Sequence, residues 1–460
     1  MKINYIFIFL SCLTLISKAQ KITLSPAFKS EYCQGGKYLG KINDEHYIKF
    51  DRGSGKELIR NTTVFSNDLK TVKRDLENVY GHYGFIYKNE IFYLSQNSTV
   101  EKKIEENTLT IEKFNKDGGS LDNKVLCKES KKAITITSKG ELTLDFRFFH
   151  SSNNKLLGVA GHKKFWVFDL ENLNLLKEYS LNNYVVVDFS NWNVTSSNLD
   201  YYLMENGDLI TVQKDKAPIT LQQYKINAEE VATLKLEINN KENFGTFSCL
   251  NDEKNALLVS TLFNGKVAKN KLSQFERKSD AEGCNVFKIS LNDLSIIDQK
   301  IATFNEKVKT IEGKNADLDK LEILGLHEIN KEYFLIAEKH YLYQTDKGAT
   351  DSHDNLVLAK LFGNNQSIQT SIRKRQYHTK GVASYIKNGM LYLVYQNEIG
   401  NILLNLAQLD TNLMVKKILE EDVEKKQSTF IPSHNLYPLD NNKFFLITCL
   451  RYKYGFVFIE

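Results

Sequence analysis

Between Val382 and Leu419, four runs rich in Tyr, Ile, Leu and Val are separated by Asn388-Gly389, by Asn397 to Asn401 and by Asp410 to Asn412. Short apolar runs cut by such turn residues predict a four-stranded antiparallel meander. Asn388-Gly389 is the sharpest signal, because a type I′ hairpin turn needs positive φ at both central positions and these two residue types tolerate it.

The same arrangement recurs along the chain. Polar turns precede an apolar strand at Asn43 to Glu45, Lys88 to Glu90, Ser152 to Asn154, Asn206-Gly207, Asp252 to Lys254, Asn330 to Glu332, Asn388-Gly389 and Asp440 to Asn442. A further strand follows each of them, at Val64 to Ser66, Glu112 to Phe114, Phe168 to Leu170, Tyr224 to Ile226, Phe287 to Ile289, Ala359 to Leu361, Ala407 to Leu409 and Phe456 to Phe458. The turns recur every 45 to 80 residues or so, about 57 on average, and four short strands in a period of that order are the mark of a β-propeller. The expectation is an all-β chain forming a single propeller of eight four-stranded blades. The count is seven if Asn206-Gly207 instead joins the second and third strands of its unit. A pair of β-sandwiches has no reason to hold one phase from residue 43 to residue 458.

The segment Leu156 to Glu178, LLGVAGHKKFWVFDLENLNLLKE, resembles the blades of WD-repeat and YVTN-type propellers, with FWVFDL as a third strand that Asp169 ends. The Gly-His and Trp-Asp pairs of the WD family are not repeated, so the resemblance implies fold and no site residue. At the C-terminal end the last unit has room for a strand, a turn at Arg451 to Gly455 and a strand at Phe456 to Ile459, but lacks a fourth. Lys21 to Leu24 is the natural supply, and its pairing there would close the ring and cover a sheet edge.

Met1 to Ala19 reads as a secretory signal peptide, with Lys2 as its charged end, Ile6 to Ile16 as its apolar core and Ser17-Lys18-Ala19 as a small-x-small cleavage site. This leaves a propeller domain over residues 20–460, secreted or periplasmic, with lipid attachment at Cys12 as the alternative. No segment has the roughly 20 apolar residues of a spanning helix. The net charge of +5 falls to +3 without Lys2 and Lys18, and both signs are interspersed, which is not the footprint of a nucleic-acid binder. Arg373-Lys374-Arg375 is the densest basic cluster and reads as a solvated loop. Five cysteines follow Cys12, too few for a disulfide scaffold; Cys249 with Cys284, or Cys33 with Cys449, are the pairings considered. Asn61, Asn97, Asn193 and Asn365 begin glycosylation sequons.

Candidate chemistry is sparse. There is no GxSxG elbow, no P-loop, no HExxH and no GxGxxG after a strand. Gly53 to Lys56 reads as a hairpin tip, not a phosphate loop. In Asp346 to Asn355, read as a loop, Asp351, His353 and Asp354 are the only suggestive ligands for a divalent ion, and the spacing is that of a solvated acidic turn, not a calcium site. Glu105-Glu106 and Glu420-Glu421 read as polar connectors. Two charged insertions, Gly265 to Gly283 and Phe304 to Leu321, exceed ordinary loop length and lie where they could meet on one face. No catalytic residue, cofactor site or metal site is assigned. The repeated Ser-x-Asp-x-Gly-x-x-Trp turns of sialidase-like propellers are absent, only two tryptophans exist for a quinoprotein-type propeller, and no residues remain for a hydrolase domain.

Two functions follow. The first is an exported, non-catalytic, monomeric propeller that binds a protein, peptide or glycan through its face loops. The second is a secreted glycan hydrolase or lyase with its site at the central channel. Inward-facing Asp, Glu and His clustered at one mouth of the channel, with raised carboxylate pKa values, would favour the enzyme, and an apolar or aromatic rim with no converging carboxylates would favour the binder.

Overall fold

The structure, a computed structural model, describes residues 21–460 apart from 53–58, 102–103, 133–145, 162, 182–198, 215–217, 238–241, 265–280, 305–307, 312, 317, 319, 346–347, 364–365, 378–381, 398–402, 430–434 and 440–442. The residues 1–19, 53–56, 265–280 and the sequons at 193 and 365 therefore lie outside the described residues.

The strands form an eight-bladed propeller of antiparallel meanders. Blade one spans Phe28 to Leu76, blade two Tyr83 to Lys132, blade three Arg147 to Ser180 and blade four Leu199 to Leu236. Blade five spans Glu242 to Thr303, blade six Leu321 to Tyr377 and blade seven Ala383 to Asp422. Blade eight holds Tyr437–Leu439, the long strand Lys443–Ile459 and the N-terminal strand Ile22–Leu24. Lys443–Ile459 doubles back on itself, since Lys443 Nζ and Glu460 Oε1 meet at 2.9 Å across its two ends. Ile22 pairs with Ile459 and Leu24 with Val457, which closes the ring as expected.

All the described recurring turns join the first and second strands of a blade. Asn388 and Gly389 have φ of 52° and 70°, and Lys387 pairs with Met390 across them. Asn206-Gly207 joins Leu199–Leu203 to Leu209–Gln213, so the fourth unit is a full blade and the count is eight. Each further strand marked in the sequence is the third of its blade, and Lys164–Asp169 is the third strand of blade three.

The core sits between blades, not within them. Among the described residues eight apolar clusters are found, and each draws on two neighbouring blades. A sheet covered on both faces explains why the second and third strands are nearly continuous apolar runs, as in Leu156–Ala160, where all five residues are buried.

Four of the turns between third and fourth strands share a device that the turn pattern did not reveal. Leu69, Leu173, Leu294 and Leu413 all have φ between 56° and 59°, a region that costs a branched residue energy. Each is held by a hydrogen bond from its N–H to the residue at the strand end, as from Leu294 to the Ser290 carbonyl at 3.2 Å. Each also buries its side chain against the preceding blade; Leu294, 3% exposed, packs with Ile210, Val212 and Leu221 of blade four. Burial of a leucine contributes roughly 1.5–3 kcal/mol, enough to offset the backbone strain.

Several sequence expectations need correction. Lys443–Ile459 reverses within the expected turn at Arg451 to Gly455, but that turn is not free: Phe28 pairs with Tyr454 and Cys33 with Arg451, so blade eight is stitched to blade one. Arg373 to Arg375 lie in the strand Ser367–Tyr377, Glu105-Glu106 in Ile104–Phe114 and Glu420-Glu421 in Val415–Asp422, because cross-strand ladders, not polarity, decide these edges. Cys249 and Cys284 are free thiols, so the disulfide considered between them does not form, and the Cys33 side chain of the other pairing lies outside the described residues. The described part of Phe304 to Leu321 lies along the outer strand of blade six, where Ile311 N–H donates to the Ser371 carbonyl at 3.0 Å and Val308 is buried. Ala281 donates to the Leu318 carbonyl at 3.1 Å, so the ends of the two insertions do meet.

Candidate functional site along the channel wall

The first strands of neighbouring blades touch one another, as in blades one and two, three and four, and five and six, and so line the central channel. Their side chains link each blade to the next. Lys37 Nζ of blade one lies 3.6 Å from the ring centroid of Tyr83 in blade two, and Tyr83 packs at 4.9 Å on Phe148 of blade three. Phe149 meets Tyr201 of blade four at 5.2 Å, and the Tyr202 hydroxyl donates to Ser248 Oγ of blade five at 2.8 Å. Tyr385 of blade seven packs on Phe444 of blade eight, and Tyr437 on Tyr38 of blade one, completing the circle.

Blades five, six and seven are joined by a polar relay. Asp252 Oδ1 lies 3.1 Å from His327 Nδ1, and His327 Nε2 lies 2.8 Å from Ser384 Oγ. Burial pushes the Asp252 carboxyl up, but the His327 contact and the Glu328 N–H together hold it below its ordinary value. The order carboxylate, imidazole, hydroxyl is that of an activated nucleophile. No sequence motif marked these residues, which come from three blades.

Electrostatics differ on the opposite side of the ring. Burial, with repulsion from Lys49, lowers the Lys37 ammonium to about 8. Burial, with a further push from Lys37, lowers His150 to about 4, so its imidazole is neutral at pH 7. Burial alone raises the Tyr83 hydroxyl to about 12.

Two of the clefts among the described residues lie beside blades three to five. One of about 720 Å³ runs over the turns of blades three, four and five and is lined by Ser152, Glu205, Asn206, Lys225, Glu253 and Lys254 among others. The other, about 300 Å³, opens between the first strands of the same blades and is lined by Arg147, Phe149, Tyr201, Tyr202, Phe247 and Ser248 with Asp200 and Lys214.

Of the ligand set read around His353, the Asp351 side chain lies outside the described residues, and His353 and Asp354 are engaged by other groups. Gly348–Leu361 is a strand of a long hairpin, not a loop, and His353 is 2% exposed. Its Nδ1 lies 2.9 Å from Glu338 Oε1 and its ring stacks on His340 at 4.3 Å, while Asp354 accepts from the Tyr341 hydroxyl at 2.7 Å. Among the described residues no group of three His, Cys, Asp or Glu side chains is arranged to hold a metal ion. Glu106 faces Lys128 at 3.7 Å and Glu421 faces Lys426 at 2.6 Å, ion pairs on blade edges and not on the channel wall. No helix among the described residues is long and apolar enough to cross a membrane.

No protein-family model matches the chain, and no curated protein matches it. Solved structures similar to it are propellers. Sqt1 of Chaetomium thermophilum is 10% identical with a TM-score of 0.43, over 95% of this chain and 98% of that one. The WD40 domain of SCAP from fission yeast is 8% identical with a TM-score of 0.39, over 95% and 98%. The β-propeller domain of the Trilobed protease from Pyrococcus furiosus is 11% identical with a TM-score of 0.36, over 85% and 98%.

Proposed function

We propose that the protein is an exported, non-catalytic propeller that binds a protein, peptide or glycan partner through one of its faces. The observation that carries this is the series of aromatic contacts that links blades one to four, and blades seven, eight and one, beside the channel. A general acid needs a raised carboxyl pKa. Glu45, Asp68, Glu178, Asp252, Asp293 and Asp410, whose ionisation is clearly displaced, are all displaced downward, by hydrogen bonds and neighbouring cations. The 720 Å³ cleft, built from turns of three blades, supports recognition through face loops. The Lys2, Ile6 to Ile16 and Ser17 to Ala19 pattern supports export. The test is to present Gln20 to Glu460 to glycan and peptide arrays and then assay the retained class for turnover. Retention without turnover is expected; release of a cleaved or eliminated product would replace binding by catalysis.

The relay Asp252–His327–Ser384 favours a second reading, acyl transfer with Ser384 as nucleophile. In that chemistry Ser384 Oγ attacks an ester carbonyl as His327 Nε2 takes its proton, the alkoxide leaves with that proton, and water then releases the acyl group. Neither cleft described is lined by Ser384 or His327, and the relay serves equally as a clamp between three blades. A fluorophosphonate probe decides: no labelling is expected, whereas stoichiometric labelling lost in Ser384→Ala would establish the second reading.

A further inference from the structure

In the 300 Å³ cleft the charges do not cancel. Asp200 Oδ1 lies 2.8 Å from Lys214 Nζ, and its Oδ2 accepts from Ser248 Oγ, which itself accepts from the Tyr202 hydroxyl. That carboxylate is satisfied, and the pair with Lys214 is neutral. Arg147 is left over. Among the described residues its guanidinium makes no hydrogen bond and no ion pair; Asp200 and Tyr201 act on it only through longer-range attraction, and burial lowers its pKa. Beside it the Tyr201 hydroxyl is buried without a hydrogen-bond partner, in a residue only 5% exposed.

A half-buried guanidinium and a buried hydroxyl without partners are costly unless a ligand satisfies them. Phe149, Phe247 and Tyr202 supply ring faces around the same space. A volume of about 300 Å³ is at the lower limit for small-molecule sites, suited to one sugar or amino-acid residue.

We propose that this cleft binds a singly charged carboxylate carried on a body of one sugar or amino-acid residue, with Arg147 bonding both carboxylate oxygens and the aromatic walls enclosing the body. This rests on the binding reading above and names its ligand chemistry. Planar two-point pairing suits guanidinium to carboxylate, and one uncompensated positive charge calls for one negative charge. Asp200, Ser248 and Tyr202 then discriminate among bodies by their hydroxyl and amide groups.

The test is calorimetry on Gln20 to Glu460 with glucuronate, N-acetylalanine, the methyl ester of each, and inorganic phosphate. At least one acid should bind, and its ester should bind at least about tenfold more weakly. Which acid binds distinguishes a uronate from a peptide-like source. Arg147→Gln should abolish the preference for acid over ester, and Arg147→Lys should keep a weaker preference, with melting temperature showing that each variant folds. Equal binding of acid and ester, phosphate binding as tight as the acid, unchanged preference in Arg147→Gln, or no binding of either acid would each overturn the proposal. If an array ligand is still retained in that last case, this assignment falls and the binding function stands.

Discussion

The side-chain amide of Gln427 donates to the Ser25 carbonyl at 2.7 Å, although 402 residues separate the two in the chain. Gln427 ends the short helix Val423–Gln427, is 2% exposed, and also contacts the Phe456 carbonyl at 3.3 Å. Its Oε1 accepts from Thr429 at 3.2 Å and Thr448 at 3.1 Å. One amide thus ties the N-terminal strand, blade eight and the exit from blade seven together.

Gln427→Leu should therefore destabilise the protein by about 2–4 kcal/mol, because an apolar side chain of similar size leaves the Thr429 and Thr448 hydroxyls and the Ser25 carbonyl buried without these partners. Equilibrium urea unfolding measures it. A loss below about 0.5 kcal/mol would mean that the closure does not depend on this amide.

Leu294 separates two energies usually measured together. Leu294→Ala loses the packing on blade four and should cost about 2–4 kcal/mol. Glycine ordinarily costs more than alanine, but at the φ of 57° it relieves strain, so Leu294→Gly should cost no more than Leu294→Ala. The reverse order would show that the backbone here is not strained.

His150 makes stability depend on pH in a defined direction. Its ordinary value is 6.5 and its folded value about 4, so between these the unfolded chain holds the extra proton. Its contribution is full above 6.5 and lost progressively as pH falls to 4, by at most roughly 3 kcal/mol. His150→Gln should flatten the acid arm of the stability profile across that window. Lys37→Met should flatten it in part, since Lys37 supplies some of the depression.

The described thiols should be inert. Burial raises Cys127, Cys249 and Cys284 to about 12. Reductant should leave the melting temperature unchanged, and a thiol reagent should modify these three only after denaturant is added. A drop in melting temperature with reductant would reveal a disulfide that these residues do not form.

The blade repeat was legible because a hairpin turn with positive φ restricts its residues, so Asn43, Asn89 and Asn388 announce themselves. The leucine turns were not, although Asn-Asp-Leu occurs at both 67–69 and 292–294, since leucine in a left-handed conformation is not what its chemistry suggests. His353 was misplaced because Asp351 to Asn355 is polar throughout, while strand pairing with Leu342 to Lys339 and the His340 stack extend the sheet there regardless. The channel-wall contacts had no local trace: His327 lies 75 residues from Asp252 and 57 from Ser384, and only the ring brings them together.

The contact between Gln427 and Ser25 also bears on the order of folding. Each blade is a local meander, so most of the structure forms from contacts close in sequence and should form quickly. Only the last seam joins distant chain. Loop-closure entropy grows with the logarithm of length, so sealing a 402-residue circuit costs only about 2 kcal/mol more than closing a single blade. One late, low-cost step then converts a row of half-covered sheets into a continuous ring, and it is the step whose rate a change at Gln427 or Ser25 should govern.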